Sequence, residues 1–301
     1  MSRALRASPT AALVIAIVAV STGAILVRWS HAPSTVAAFY RVLFTGLPLL
    51  PIAVWWYRDH FRQIRVRDSG FATLAGIALA LHFATWFESL SWTSVAASVT
   101  LVQAQPIFVA LGAWLLLREH VSRRMGVGIL IAVIGMVAMS FADLIGGVLV
   151  GPRPLYGNAL ALFAAVMAAG YVLAGRSLRQ RVALIPYVVI VYGVCTITLF
   201  VIVVAQGHAF TGYPMREWIL FVALAVGPGL VGHTVINWVL AYVESSVVSV
   251  SLLGEPIGAS ILAIILLAEF PTLYTIAGAV VVLGGIYLTV SDSTVTGTEA
   301  T

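Results

Sequence analysis

Long apolar runs without charged residues occupy almost the whole chain. A helix that crosses a bilayer needs roughly 20 mostly apolar residues. Ten runs of about this length, separated by short polar segments, lie at 10–28, 34–57, 70–88, 94–117, 124–142, 155–175, 183–205, 217–240, 246–268 and 272–290. Only 9% of the 301 residues are charged and 61% are hydrophobic, so little is left for a water-soluble domain. The sequence predicts an all-α membrane protein with ten transmembrane helices.

The basic residues, all of them arginine, predict how these helices are oriented. Clusters follow every second span, at 58–67, 118–124 and 176–181, and Arg3 and Arg6 precede the first span. The intervening loops carry only Arg28, Arg153 and Arg216. Loops rich in positive charge stay in the cytoplasm. We therefore expect a multi-pass protein of the cell inner membrane with both termini cytoplasmic, and the placement at helix ends argues against a nucleic-acid partner.

The N-terminal run has a second interpretation, since Arg3, Arg6 and the following apolar residues could form a cleaved signal peptide. We favour a retained first helix, because the run is long and Arg28 follows it where a cleavage site needs small residues. The single cysteine, Cys195, lies inside the seventh span and cannot form an intramolecular disulfide. We expect no metal or other cofactor.

The two halves of the chain resemble each other. Residues 90–140 align without a gap on 240–290, pairing Pro106 with Pro256, Glu119 with Glu269, and Gly135 with Gly285. The offset between these segments is 150 residues. An offset of 147 residues aligns the earlier part of each half, pairing Gly23 with Gly170. Each half then holds five spans, and an odd number requires the second half to enter the membrane in the opposite direction. The expected halves are residues 1–146 and 147–301.

Inverted repeats are typical of transporters, whose substrate binds between the halves near the midplane. Pro106 and Pro256 fall about halfway along the fourth and ninth spans, and Pro228 lies in the eighth. Proline removes a backbone hydrogen bond and bends or interrupts a helix. These three prolines are candidate hinges, although a role in helix packing alone stays open.

The two copies of the proline pattern carry a family resemblance. Pro106 to Glu119 and Pro256 to Glu269, each followed by a glycine-rich helix, resemble the EamA branch of the drug/metabolite transporter superfamily. The resemblance implies a ten-helix exporter with a central cavity lined mainly by helices one, three, four, six, eight and nine. Within that branch the chain is most similar to exporters of aromatic and other neutral amino acids.

Polar side chains at membrane depth are the candidate substrate-binding residues. His82 and Trp86 share one face of the third helix, and their repeat partners are His233 and Asn237. A histidine satisfied by a backbone carbonyl is the structural alternative. Five further candidates lie near the prolines or on the sixth helix: Gln103, Met167, Tyr171, Ser251 and Glu255.

Two ionisable residues inside the spans need a specific explanation, because charge in the membrane is costly. Glu255 has three candidate roles: it carries a coupling proton, it binds a substrate ammonium group, or it holds the helix break through hydrogen bonds. Arg41 and Glu88 are expected to form a structural pair on the second and third helices.

The candidate residues indicate the substrate class. A phosphorylated substrate would need several basic groups near the midplane, whereas aromatic and polar side chains suit a neutral or zwitterionic solute with an apolar side chain. Efflux of hydrophobic or cationic drugs stays open.

An enzyme is the alternative of a different class, since Ser251 or Ser260 with His233 could form an intramembrane protease, but the sequence contains no catalytic motif of that kind. The expected partners are a small-molecule substrate and the lipid bilayer. The sequence is consistent with a monomer.

Overall fold

The computed structural model describes residues 9–117, 122–145, 151–178, 181–236 and 252–292. Within these ranges the regular structure is entirely helical, which confirms the predicted all-α membrane fold. The α-helices are α1 (Pro9–Trp29), α2 (Ser34–Gly46), α3 (Leu49–Trp56), α4 (Arg58–Arg62), α5 (Val66–Ser89), α6 (Val95–Val102), α7 (Gln105–Leu117), α8 (Arg123–Ile145), α9 (Pro154–Leu178), α10 (Leu184–Ala205), α11 (Met215–Leu224), α12 (Gly254–Leu267) and α13 (Leu273–Asp292). A π-helical segment, Ala225–Thr234, continues α11.

Among the described residues, six helical stretches are long and apolar enough to cross a membrane: Ala11–Trp29, Ser34–Trp56, Val66–Ser89, Pro154–Gly175, Leu184–Ala205 and Met215–His233. Three shorter apolar helical stretches accompany them, Val95–Val109, Gly254–Leu267 and Leu273–Leu288. The second and fourth predicted spans are each divided into two helices, α2 with α3 and α6 with α7. Apolar composition predicts where the chain crosses the membrane. A turn inside an apolar run does not change that composition, so the two divisions could not be predicted from it.

The two repeated prolines lie in the first turns of helices. A turn at Gln103 and Ala104 ends α6, and α7 begins one residue before Pro106. Likewise a turn at Leu253 interrupts the helix after Leu252, and α12 begins two residues before Pro256. Proline is tolerated in a first turn because its missing N–H would have no intrahelical partner there. The sequence predicted an interruption near each proline, and the interruption lies just before Pro106. Pro228 lies inside the π-helical segment.

The helix ends lie on two faces of the molecule. On one face Arg181 forms an ion pair with Asp68 at 3.2 Å, near the segment 57–65 that contains α4. This arginine-rich face also includes the start of α5. On the other face the Arg153 N–H donates to the Trp92 carbonyl at 3.3 Å. The loops 30–33, 90–94, 151–153, 206–214 and 268–272 lie on that second, arginine-poor face.

Helices α8 and α13 form the most extensive helix pair in the described ranges. Glycine brings their backbones together: a Cβ atom at Gly285 would lie 2.4 Å from the Ala132 nitrogen, and one at Gly135 would lie 2.8 Å from the Val282 nitrogen. Neither position has space for a side chain. We call this contact the glycine seam, and its pairing of 135 with 282 and 132 with 285 shows that the two helices are antiparallel.

The main hydrophobic core joins α1, α2, α5 and α6 with α9 to α12, and a second, smaller core joins α6 to α9 with α13. Helices α1 and α5, the π-helical segment and α12 meet near the middle of the main core. There Gly23 allows close approach, because a Cβ atom at this position would lie 3.6 Å from Pro228 and 3.7 Å from the Trp86 ring. This meeting point holds most of the described candidate residues.

Candidate functional site

A carboxylate and an amide face each other at the two helix interruptions. Glu255 lies in the first turn of α12, and its Oε2 accepts a hydrogen bond from Gln103 Nε2 at 2.7 Å. Gln103 occupies the turn between α6 and α7. The Ser21 hydroxyl on α1 donates to the Ile17 carbonyl at 2.8 Å and also lies 3.4 Å from the Glu255 carbonyl. The Glu255 carboxylate thus links the first half of the chain to the second.

His82 and Trp86 lie one turn apart on α5, as their spacing predicted. Their rings stack at 5.9 Å between centroids. His82 Nδ1 lies 3.0 Å from the Ala164 carbonyl of α9, and because a carbonyl only accepts, Nδ1 carries the proton. Trp86 is 5% exposed, and its Nε1–H has no hydrogen-bond acceptor among the described residues. A buried indole donor of this kind can bind an anionic oxygen of a ligand.

Arg41 is a buried cation on α2. The residue is 2% exposed, and its guanidinium lies 4.2 Å from the centroid of the Phe83 ring and 5.9 Å from that of Trp86. Its Nη1 has no hydrogen-bond partner in the described parts of the chain. Burying a cation is costly unless it is paired or hydrogen-bonded, and contact with aromatic faces offsets only part of that cost.

The charged and titratable groups of the core lie near one another. Arg41 is close enough to Glu255, His82 and His233 for electrostatic interaction. It also lines a cavity of about 20 Å³ with His233, Thr45 and Gly229. The structure thus brings together six residues that the sequence singled out: Arg41, His82, Trp86, Gln103, His233 and Glu255.

The remaining candidates are more peripheral or lie outside the described residues. Met167 is half-buried on α9, and Tyr171, one turn along, packs against the main core. The Ser260 hydroxyl donates to the Pro256 carbonyl in its own helix at 2.7 Å. Asn237 and Ser251 lie outside the described residues.

The structure does not pair Arg41 with Glu88. Glu88 accepts hydrogen bonds from the Ser34 hydroxyl and, at 2.8 Å, from Trp92 Nε1, near the end of α5. Arg41 lies two turns into α2 and points to the core instead. The expected pair depended on position, since Glu88 lies at the outer end of the third predicted span and Arg41 lies about two turns into the second. The two described donors to Glu88 are neutral, and Arg41 lies in the central site instead.

An ion pair on the arginine-poor face, with its neighbouring hydrogen bonds, connects the ends of four helices. Arg28 Nη2 and Glu269 Oε2 are 2.5 Å apart, and Arg28 Nη1 donates to the Leu90 carbonyl at 2.6 Å. Glu269 Oε1 accepts the Val95 N–H at 2.6 Å, so the carboxylate also lies at the positive end of α6. We call these contacts the Arg28–Glu269 latch.

Backbone geometry positions the latch. Ala268, directly before Glu269, has a φ of 51° and is the one non-glycine residue with positive φ in the described ranges. Left-handed backbone at alanine is strained, and such strain persists only where surrounding contacts impose it. A second carboxylate on this face, Glu217 at the start of α11, accepts the Ser30 hydroxyl at 2.6 Å and the His31 N–H at 3.0 Å. Together these contacts close the arginine-poor face around the end of α1.

Sequence reasoning missed the latch and the position of Arg41 in the central site. In the sequence, Glu269 belongs to the repeated proline pattern and Arg28 is a loop charge that argues against a cleavage site, and neither property indicates that the two side chains meet. The one available signal for Arg41 was that it is the arginine clearly inside a span.

Comparison with known proteins agrees with this architecture. The "Uncharacterized transporter YdfC" of Bacillus subtilis is 25% identical over 254 residues, covering 84% of this chain and 80% of that protein. An "Uncharacterized transporter" of Archaeoglobus fulgidus is 31% identical over 207 residues, covering 66% of this chain and 68% of that protein. A solved crystal structure with 19% sequence identity covers 94% of this chain and 97% of its own, with a TM-score of 0.62, which shows a shared fold.

The EamA-like transporter family matches the chain twice, at residues 8–141 and 155–291. The two matches cover most of the sequence and fall on either side of the loop between α8 and α9. The protein therefore belongs to the EamA-like transporter family and is a membrane transporter of the drug/metabolite transporter type.

Proposed function

We propose that this transporter exports neutral amino acids with aromatic or other apolar side chains from the cytoplasm by alternating access. The observation that carries the proposal is a pair of opposite charges in the core: Arg41, whose guanidinium faces the Trp86 ring of the stacked His82–Trp86 pair, and Glu255, which is close enough to interact with Arg41. In this proposal the transporter lies in the inner membrane with ten helices and both termini cytoplasmic.

A zwitterion suits this arrangement. The Arg41 guanidinium and the Trp86 Nε1–H are donors that can bind a carboxylate, and the Glu255 carboxylate can accept an ammonium group. The aromatic faces of Phe83 and Trp86 provide the apolar surface for the side chain. A cationic drug would satisfy Glu255 but would leave Arg41 buried and unpaired, which is unfavourable.

The proposed halves, 1–146 and 147–301, are supported by three observations. The family matches each half once. Helix α1 ends at the arginine-poor face, where α9 begins, so the first helices of the halves run in opposite directions. The hydrogen bond from Gln103 to Glu255 crosses between the halves at the two helix interruptions. We propose that Pro106, Pro228 and Pro256 act as hinges at or next to these interruptions and the π-helical segment.

The conformation described here is closed toward the arginine-poor face. The Arg28–Glu269 latch and the Glu217 contacts join the ends of α1, α11 and α12 across that face. Opening to this side, which we take as the exterior, requires these hydrogen bonds to break. Alternating access then consists of breaking and remaking the latch while the central site exchanges its solute.

The test is transport by purified protein in liposomes, with phenylalanine and phenethylamine as matched solutes. The two differ by the carboxylate, so the proposal expects counterflow of phenylalanine and little of phenethylamine. Arg41→Gln should reduce phenylalanine transport by about tenfold or more, the usual effect of losing a charge-assisted hydrogen bond.

A matched control is available at Arg67, an exposed arginine whose guanidinium lies 5.7 Å from the Phe71 ring centroid. Arg67→Gln changes charge and aromatic contact in the same way but should leave transport unchanged. Transport of phenethylamine with none of phenylalanine would overturn the amino-acid assignment in favour of cationic drugs.

A further inference from the structure

A second, larger cavity lies on the arginine-poor face, apart from the central site. Its volume is about 670 Å³, and it lies between α5, α9, α10 and the loop after α1. Cavities of roughly 300–1,000 Å³ are the usual size for small organic ligands. The Arg28–Glu269 latch is not part of its lining.

Helix α5 separates the two sites by presenting different faces to them. Leu81, Ala84, Thr85 and Glu88 line the large cavity, and their spacing places them on one helical face. His82 and Trp86 follow Leu81 and Thr85 by one residue each, which rotates them by about 100° toward the core. A ligand in the large cavity therefore contacts a surface that the central site does not use.

The cavity is apolar at one end and polar at the other. Leu81, Leu160 and Ile202 line the part that reaches toward the membrane interior. Leu81 lies seven residues, or about 10 Å, along α5 from Glu88. Glu88 and Gln206 line the part next to the loops. This gradient fits an amphiphilic ligand with its polar group at the level of Glu88.

Glu88 provides a negative charge that no described arginine neutralises. Its two oxygens accept from the Ser34 hydroxyl and from Trp92 Nε1, which are neutral donors. A carboxylate has about four lone-pair directions, so these two bonds leave capacity for a further donor. His31 and His208 also line the cavity, and an imidazole nitrogen that carries no proton can accept a hydrogen bond.

We propose that this cavity is a second binding site, for a primary ammonium group attached to an apolar body. The ammonium donates to Glu88, and the apolar part lies along Leu81, Leu160 and Ile202. Two sources have this chemistry: a free arylalkylamine, and the ethanolamine headgroup of a membrane lipid with its acyl chain in the apolar part. The site does not depend on the proposed transport of amino acids.

The experiment measures saturation binding of radiolabelled tryptamine to protein reconstituted in phosphatidylglycerol vesicles. Saturable binding that falls by about tenfold or more in affinity in Glu88→Gln is the expected result. Leu160→Trp, which fills the apolar part without touching the carboxylate contacts, should weaken binding as well. If tryptamine binds both variants as tightly as the wild type, the proposal is wrong.

Two controls separate this site from other carboxylates. Glu217→Gln alters a carboxylate on the same face that does not line the cavity, and should leave tryptamine binding unchanged. Glu255→Gln should raise the KM for phenylalanine transport but retain the Glu88-dependent binding, so the two proposals can fail independently. Loss of tryptamine binding in Glu255→Gln alone would overturn the second site by assigning the amine to the centre.

The lipid source is tested by adding phosphatidylethanolamine to the vesicles. Competition that depends on Glu88 supports the proposal with a lipid occupant, and unchanged tryptamine binding supports it with a free amine. Phosphatidylcholine, whose headgroup has no N–H, should compete less well than phosphatidylethanolamine. Equal competition by both lipids in wild type and Glu88→Gln would contradict recognition of the ammonium group.

Discussion

The Arg28–Glu269 latch makes a quantitative prediction about access to the core. Glu269→Gln removes one charge and leaves the neighbouring contacts in place, since Arg28 still donates to the Leu90 carbonyl and residue 269 can still accept from the Val95 N–H. The side chains of Arg28 and Glu269 are 27% and 10% exposed, so solvent screens the pair only partly.

The magnitude follows from this geometry. A hydrogen bond between charged groups contributes about 1.5–3 kcal/mol. A loss of about 2 kcal/mol from the closed state alone would shift the equilibrium toward the open state by roughly 30-fold. Exposure of Arg28 reduces this value, so we expect a shift of about 10- to 30-fold.

Thiol labelling measures the shift directly. Cys195 is the only cysteine and is buried, so Cys195→Ala with Thr22→Cys gives a single reporter. Thr22 lies six residues, or about 9 Å, along α1 from Arg28. A membrane-impermeant reagent applied from the arginine-poor side should label this position about 10- to 30-fold faster when Glu269→Gln is added.

Intact cells and inverted vesicles present each face in turn, so the side of entry is known. Asp59→Asn is the control, because its ion pair with Arg62 is exposed and should contribute little. An unchanged labelling rate in Glu269→Gln, in protein that elutes and melts like the wild type, would refute the role of the latch.

Three further predictions concern the core and the helix contacts. Trp86→Phe keeps an aromatic ring but removes the Nε1–H, so the KM for phenylalanine should rise by about tenfold in the liposome assay with little loss of protein yield. Glu255→Gln should also raise this KM, while the ratio of fluxes measured with and without a pH gradient stays at its wild-type value; a lost ratio would assign a coupling proton to Glu255. Gly285→Ala should destabilise the protein by about 1–3 kcal/mol because its Cβ would overlap the backbone of α8, whereas Gly284→Ala, with no atom within 4 Å, should leave thermal unfolding unchanged.

The membrane-spanning architecture could be predicted because its cause is local. A bilayer requires apolar residues in runs of roughly 20, and the chain shows them directly. The relation of His82 to Trp86 was equally accessible, since it depends only on helical spacing. The turn at Gln103 and Ala104 was located only approximately, because the composition of an apolar run is the same whether its helix continues or is interrupted by a turn.

Contacts between distant helices could not be predicted from the sequence. The latch joins residues 241 positions apart, and no local pattern connects them. The contacts of Arg41 with the Phe83 and Trp86 rings could not be predicted, because the sequence indicates the depth of Arg41 but not the direction in which α2 presents it. A charge inside a span identifies a candidate functional residue. The packing of the neighbouring helices determines what that residue contacts.

The glycine seam limits which motions the protein can make. Helices α8 and α13 are the last described helices before the two halves end, and their backbones already touch, so they can neither approach further nor slide without collision. Two bodies that stay in contact along a fixed line move relative to each other by rotating about that line. Distances measured between probes on α8 and α13 should therefore stay constant through the transport cycle, and displacements should grow with distance from this axis.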